Sequence, residues 1–225
     1  MEYLPNGFIL DTGSNAFPLS TDSMLLADFV KMPKNASVLD LGAGCGTLGV
    51  LLCAKDPLCR VTGVEIDPAA NEAAVQNIAR NGLSGRMESI CGDLRHFSKS
   101  GYHCCVSNPP YFSSGPASKT HCLARREDCC SPEKLFAAAA KALKFGGDFF
   151  LVHKPERLAQ LIACGAMEKL EAKRLRLVRH RDGGEISLIL LQFRKGGKPG
   201  LVIDEVALFD KNAQPTEFYK SVYHI

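Results

Sequence analysis

Short apolar runs bounded by turn residues alternate along the chain with stretches in which apolar residues recur every three or four positions. Residues 37–41, 60–66, 87–91, 103–107, 148–153, 175–178 and 186–193 read as seven strands. Between them, residues 48–54, 68–81, 131–143 and 156–164 carry the helical period. Pro68 falls in the first turn of its helix, where a missing N–H costs nothing, and Ser131 is placed to cap the alanine-rich one. Ahead of the first strand, Phe8-Ile9-Leu10 and Phe17-Pro18-Leu19 flank a turn-rich stretch at 11–15, which predicts a short hairpin. Ser20 or Thr21 then caps a helix carrying Met24, Leu25, Leu26, Phe29 and Val30. Strands alternating with helices predict a doubly wound α/β fold with a mostly parallel sheet, whose ligands bind at the carboxyl ends of the strands. Residues 1–35 form an N-terminal hairpin and helix extension in this reading, and 36–225 the main domain.

Composition narrows the class without changing the picture. The chain has 225 residues, 46% of them apolar and 23% charged, the balance of a soluble globular domain. No run approaches the roughly 18 apolar residues of a membrane span. Met1-Glu2-Tyr3-Leu4-Pro5-Asn6 has no basic stretch leading into an apolar core, so a cytoplasmic location is expected. Ten cysteines are present, none in a CxxC pair. The adjacent pairs Cys104-Cys105 and Cys129-Cys130 lack zinc-ligand spacing, so reduced structural thiols are expected and no metal. The net charge is +3. Its excess gathers between residues 169 and 198, at Lys173, Arg174, Arg176, Arg179 and Arg181 among others, against Glu171, Asp182 and Glu185. Such a run can attract a polyanion, although a solvated face is the commoner meaning.

The first parallel strand ends in Asp40-Leu41-Gly42-Ala43-Gly44-Cys45-Gly46-Thr47-Leu48-Gly49. Glycines there let the backbone turn tightly and let a ligand approach with no Cβ in the way. Glu65 ends the next strand, where a carboxylate can accept both hydroxyls of a ribose. Gly44 to Gly49 also fits the dinucleotide GxGxxG, which Glu65 would serve equally well. Two features favour S-adenosylmethionine over a dinucleotide. Asp40 precedes the loop, where it can meet a cationic amino-acid end. Cys91-Gly92-Asp93 ends the third strand, placing a second carboxylate where an adenine amino group can be read. Ala43, Ile66 and Leu94 are the neighbours expected to complete this site. The bland alternative is a glycine turn with routine strand-end acids.

The fourth strand runs into Asn108-Pro109-Pro110-Tyr111-Phe112. Two prolines stiffen the backbone. The Asn108 amide oxygen and the Pro109 carbonyl are two acceptors that can hold both N–H bonds of an exocyclic amino group, leaving the nitrogen aimed at an incoming methyl group. Tyr111 or Phe112 can stack on a flat acceptor. The plain alternative is a proline turn after a strand.

These segments resemble known motifs. The glycine loop, Glu65 and Asp93 look like motifs I, II and III of the class I methyltransferases, which implies a Rossmann-like methyltransferase sheet and S-adenosylmethionine as cofactor. Asn108-Pro109-Pro110-Tyr111 resembles the NPPY signature of amino-methyltransferases, whose members modify adenine N6, guanine N2 or a glutamine amide. Residues 19–29, Ala124-Arg125-Arg126-Glu127, Leu143-Lys144-Phe145-Gly146-Gly147, residues 152–158, Lys173-Arg174-Leu175 and residues 195–201 are similar to the valine-tRNA adenine-N6 methyltransferase family, which acts on the adenosine beside the anticodon. The resemblance implies tRNA as partner, contacted by Lys119, Arg125 and Arg126 and by Lys173, Arg174, Arg176, Arg179 and Arg181. Two other amino acceptors, guanine N2 and protein glutamine, stay open, as does an inactive RNA-binding member of the fold. The glutamine enzymes carry a separate helical N-terminal domain, for which the residues before the first strand are too few. The guanine enzymes more often show NPPF in a duplicated architecture.

Overall fold

A computed structural model describes residues 2–4, 7–11, 20–109 and 131–224. The main sheet has strands β3 (Ser37–Leu41), β4 (Arg60–Glu65), β5 (Met87–Cys91), β6 (Tyr102–Ser107), β7 (Leu143–His153), β8 (Leu170–Arg181), β9 (Ile186–Lys195) and β10 (Val202–Phe209). Their order is β10-β8-β9-β7-β6-β3-β4-β5, and only β9 runs against the rest. Helices α1 (Thr21–Phe29), α2 (Thr47–Lys55) and α3 (Pro68–Arg80) cover one face. Helices α4 (Pro132–Ala142) and α5 (Leu158–Met167) cover the other. A last helix, α6 (Glu217–Tyr223), packs with α1 and β10. Successive strand residues feed opposite cores: Cys104 joins the α1–α3 side and Cys105 the α4–α5 side, both fully buried. Burial pushes the Cys104 thiol up to about 12, so it packs as a small hydrophobe.

The predicted doubly wound architecture holds, with one strand more than the seven read from the pattern. The added strand is β10. Its Asp204 and Glu205 interrupt the apolar run, because it is an edge strand with one side to solvent. The N-terminal hairpin also differs. Ile9–Leu10 (β2) pairs antiparallel with Glu2–Tyr3 (β1), while the partner read at 17–19 lies outside the described residues. Ser20 does cap α1, its hydroxyl accepting the Ser23 N–H at 3.2 Å. Ser131 stands at the start of α4, but its side chain makes no capping hydrogen bond. The helix read at 156–164 is a short 3-10 turn, Pro155–Arg157, followed by α5.

Asn77 on α3 and Asn81 at its C-terminal cap fasten the N-terminal segment. The Asn81 amide accepts the Ile9 N–H at 2.8 Å and donates to the Ile9 carbonyl at 2.7 Å. Asn77 repeats this on Asp11, at 2.8 and 2.9 Å, and also donates to the Cys45 carbonyl in the glycine loop at 2.9 Å. Each side-chain amide stands in for a neighbouring strand. Asn77 is fully buried, so its removal would strand the Cys45 carbonyl and both polar groups of Asp11. Asn77→Ala is therefore expected to cost about 1–3 kcal/mol, the penalty of an unsatisfied buried polar group, read from urea unfolding. A loss no larger than that of Glu72→Ala on the exposed face of α3 would contradict it.

Candidate active site

Helix α2, which follows β3, and helix α4, next after β6 among the described residues, cover opposite faces, the arrangement in which α/β sheets form a ligand crevice at the carboxyl ends of the two strands. The backbone ladder between these strands ends at Asp40 and Val106. One residue further on, the Ser107 hydroxyl continues it, donating to the Leu41 carbonyl at 2.7 Å. The glycine loop and the Asn108 turn are thus joined at their roots.

Gly42, Gly44 and Gly46 all have positive φ, at 77°, 56° and 85°. At Gly44 a Cβ would meet nothing within 4 Å, so its reason lies in the backbone path and in open space for a ligand. Gly46 starts α2 and sits on α3, where a Cβ would approach that of Ala74 to 3.3 Å. The loop is held from β4: Gly42 and Ala43 both donate to the Val64 carbonyl. Glu65 is buried and splits its carboxylate between the Gly44 N–H at 2.8 Å and the Asp67 N–H at 2.9 Å. Ile66, half-buried, continues from it. A residue with no motif of its own also shapes the loop. Gly63 on β4 faces Ala43, and a Cβ there would come within 2.9 Å of the Ala43 methyl.

Asp40 is 1% exposed, and neither carboxylate oxygen has a hydrogen-bond partner among the described residues. Burial, and then the negative charge of Glu65, push its pKa up to about 7; the Gly49 amide, outside hydrogen-bonding geometry, offsets a little of this. A buried carboxylate without a partner is costly when charged, and a cation placed beside it would relieve that cost. Asp93 is occupied differently. It accepts the Arg95 N–H at 2.9 Å, capping the turn Leu94–His96, and pairs with the Arg95 guanidinium, which holds its carboxyl below the ordinary range. Leu94 behind it is buried.

Asn108 ends β6. Its amide nitrogen donates to the Ser23 hydroxyl at 3.0 Å and more weakly to the Ser20 hydroxyl at 3.5 Å. Ser23 is a buried polar residue on the packed side of α1, its hydroxyl 3.2 Å from that of Ser20. This pairing turns the oxygen end of the Asn108 amide away from α1. Sequence reading saw Ser20 only as a helix cap and missed Ser23. The available signal was a small polar residue amid Met24, Leu25 and Leu26. Pro109 is buried, while Pro110, Tyr111, Lys119, Arg125 and Arg126 lie outside the described residues.

The basic residues of β8 are mostly engaged within the fold. Arg174 lies 4.2 Å over the Phe29 ring and donates to the Phe29 carbonyl. Arg176 grips Asp204 through two hydrogen bonds, 2.9 and 2.8 Å, with Asp28 3.7 Å away. Arg179 pairs with Glu205 and donates to the Gly184 carbonyl. Lys173 donates to the Lys198 carbonyl, near the amino edge of the sheet. Of the set, Arg179 and Arg181 end β8 at the carboxyl edge, and Arg181 makes no ion pair with the described residues. Part of the excess counted in the sequence is balanced by β10, where Asp204 lies opposite Arg176 and Glu205 meets Arg179 diagonally.

Comparison with known proteins gives the family. The chain belongs to the methyltransferase small domain family, whose model matches residues 18–173, and it is a methyltransferase enzyme that uses S-adenosylmethionine. The tRNA1(Val) (adenine(37)-N6)-methyltransferase of Porphyromonas gingivalis is 31% identical over 199 residues, covering 83% of this chain and 78% of that protein. The Bacteroides thetaiotaomicron protein of the same name is 30% identical over 212 residues, covering 92% and 89%. Among solved structures, a protein described as a predicted O-methyltransferase from Agrobacterium tumefaciens has the same fold, with a TM-score of 0.77 at 21% identity over 91% of this chain and 96% of its own. Geranyl diphosphate C-methyltransferase from Streptomyces coelicolor, solved with S-adenosyl-L-homocysteine, shares the fold at a TM-score of 0.59 and 11% identity over 77% and 79%.

The raised Asp40 pKa fixes the sign of a pH effect. An acid whose pKa is higher folded than unfolded binds more protons in the native state between the two values, so stability falls as pH rises from about 4 to about 7. Asp40→Asn is expected to flatten that slope and to melt higher than the unaltered chain at pH 8, checked by thermal unfolding without donor across this range. An unchanged slope would mean that Asp40 does not carry the buried charge.

Proposed function

We propose that this chain methylates N6 of an adenosine in tRNA, the adenosine that follows the anticodon. The observation that carries the reading is Asn108, an amide oriented by the buried Ser23 hydroxyl at the crevice between β3 and β6, with the Pro109 carbonyl next in the chain. The relatives named as adenine-N6 enzymes of tRNA1(Val), which match most of the chain, support the substrate.

The residues present fit the donor. Asp40 lacks a partner where the amino-acid end of S-adenosylmethionine brings an ammonium. Gly42, Ala43, Gly44 and Gly46 offer an open backbone path, and Glu65 is already fixed for ribose hydroxyls by two amides. Asp93, with Ile66 and Leu94, suits the adenine edge, since a carboxylate paired with Arg95 keeps lone pairs to spare. When bound, the donor supplies an electrophilic methyl group on sulfur. The acceptor nitrogen is poorly basic, because its lone pair is delocalised into the ring. Asn108 and the Pro109 carbonyl hold its two N–H bonds, so that it can rehybridise toward the methyl group. The nitrogen becomes a strong acid once alkylated, and its proton passes to solvent without a protein base. An amide at position 108 fits that role, whereas a base would call for a carboxylate. Tyr111 stacks on the base and Pro110 stiffens the turn. Lys119, Arg125, Arg126 and Arg181 contact phosphates, and Arg179 adds to them where Glu205 yields it. Arg174 and Arg176 serve the fold.

Incubation with labelled donor, total RNA and total protein tests the assignment, followed by nucleoside and amino-acid analysis. Label in N6-methyladenosine of tRNA is expected. Label in N2-methylguanosine or in protein glutamine would overturn it. Asn108→Ala should lower turnover about 10²–10³-fold, the effect of losing one oriented polar group at a developing charge. Ser23→Ala should lower it by about 5–30-fold, the scale of one buried hydrogen bond. Donor affinity should be unchanged in both, measured by calorimetry beside single-turnover kinetics. A Ser23→Ala enzyme of normal turnover would show that the hydroxyl does not orient the amide. Donor affinity in the unaltered chain should also weaken as pH falls through about 7, because Asp40 must lose its proton to pair with a cation. A pH-independent affinity between pH 6 and 8 would remove Asp40 from the site.

A further inference from the structure

Four aromatic rings run in contact along the carboxyl edge, from the β8–β9 turn to the start of α1. His180, next to last in β8, has its ring 5.1 Å from that of Phe209, the last residue of β10. Phe209 lies 5.1 Å from Tyr219 on α6, and Tyr219 stacks on Tyr223 at 4.4 Å with 20° between the planes. The Tyr223 hydroxyl donates to the Thr21 hydroxyl at 3.1 Å. Thr21 follows Ser20, whose own hydroxyl reaches Asn108. The row therefore leads from the far end of the sheet to the amide proposed to grip the acceptor.

Packing alone accounts for part of this row. Phe209, Tyr219 and Tyr223 lean on the core that holds Leu208 and Val222, and all three are half-buried. It does not account for His180, which is exposed and gains nothing from a hydrophobic seat, nor for Arg181 beside it, exposed and without an ion pair among the described residues. The other cations near the row are only loosely held: Lys211 is 3.9 Å from Asp182, and Lys220 pairs with Glu217, itself 90% exposed. Surface pairs of this kind are weak and would yield to phosphates. Rings that keep a solvent side, with cations alongside, suit unpaired nucleotides, because every base has a π-face to stack and every nucleotide a phosphate.

We propose that the row His180, Phe209, Tyr219 and Tyr223 is a stacking track for the unpaired nucleotides that flank the target adenosine. The inference rests on the RNA substrate proposed above. The track reads the single-stranded character of the loop around the target and positions the loop against the crevice. It touches neither the donor site nor the reacting nitrogen.

The test uses the full chain and a fluorescein-labelled RNA hairpin whose seven-nucleotide loop contains adenosine, with a blunt RNA duplex of equal length as control. Binding is followed by anisotropy. The double variant His180→Ala with Phe209→Leu removes two rings and keeps apolar volume at the half-buried position. Its hairpin affinity should fall about tenfold or more, the scale of losing base–aromatic stacking. Duplex affinity, donor affinity and turnover at saturating RNA should stay as they were. The variant with aromatic replacements, His180→Phe with Phe209→Tyr, should keep the hairpin affinity. Where the double variant unfolds, His180→Ala alone serves, since its side chain is exposed, and it should weaken the hairpin selectively. Unchanged hairpin affinity in a folded variant would overturn the track while the tRNA reading stands. An unaltered chain that binds no hairpin and labels only protein would overturn both.

Discussion

One hydrogen bond, from the Ser107 hydroxyl to the Leu41 carbonyl at 2.7 Å, closes the seam between β3 and β6 just beyond the end of their backbone ladder. Helices α2 and α4, next after β3 and β6 among the described residues, cover opposite faces of the sheet. The crevice so formed receives the glycine loop from one strand and the Asn108 turn from the other. Each half is then fixed from outside. Glu65 and the Val64 carbonyl hold the loop, while Ser23 on α1 holds the amide. Helix α1 is itself pinned at its far end, where the Lys55 ammonium donates to the carbonyls of Ala27, Asp28 and Val30 at 2.7–2.8 Å. Orientation of one amide thus draws on contacts spread over α1, α2, β3 and β6.

The site is not built for stability. Asp40 sits unpartnered in a buried position, and the protein tolerates a carboxylate that titrates near neutrality. Such strain persists where a ligand resolves it. The larger cores on both faces of the sheet, with Phe29, Phe136, Phe149, Phe150 and Phe193 fully buried, supply the stability that makes this affordable.

Most of the architecture was legible because buried parallel strands are short apolar runs and helices such as α3 and α4 are amphipathic, so periodicity locates both. Glycines at positive φ and acids at strand ends are local requirements, which a sequence displays directly. What stayed hidden depends on partners distant in sequence. Strand β10 is an edge strand whose adjacent Asp204 and Glu205 interrupt the apolar run, and the pattern marked no strand there. Without it, the arginines of β8 seemed uncompensated, although Asp204 pairs with Arg176 and Glu205 with Arg179. Ser23, Asn77 and Gly63 carry no motif either. Their importance comes from Asn108, from Asp11 and Cys45, and from Ala43, each brought close only by the fold.

The family match begins at residue 18, but the cooperative unit begins earlier. Residues 9 and 11 are bound to Asn81 and Asn77 by side-chain amides that imitate a sheet partner, and one of those amides is shared with the glycine loop. A boundary drawn from similarity alone would therefore cut through a hydrogen-bonded network. The segment ahead of the family match is, in this chain, a structural part of the half that carries the glycine loop.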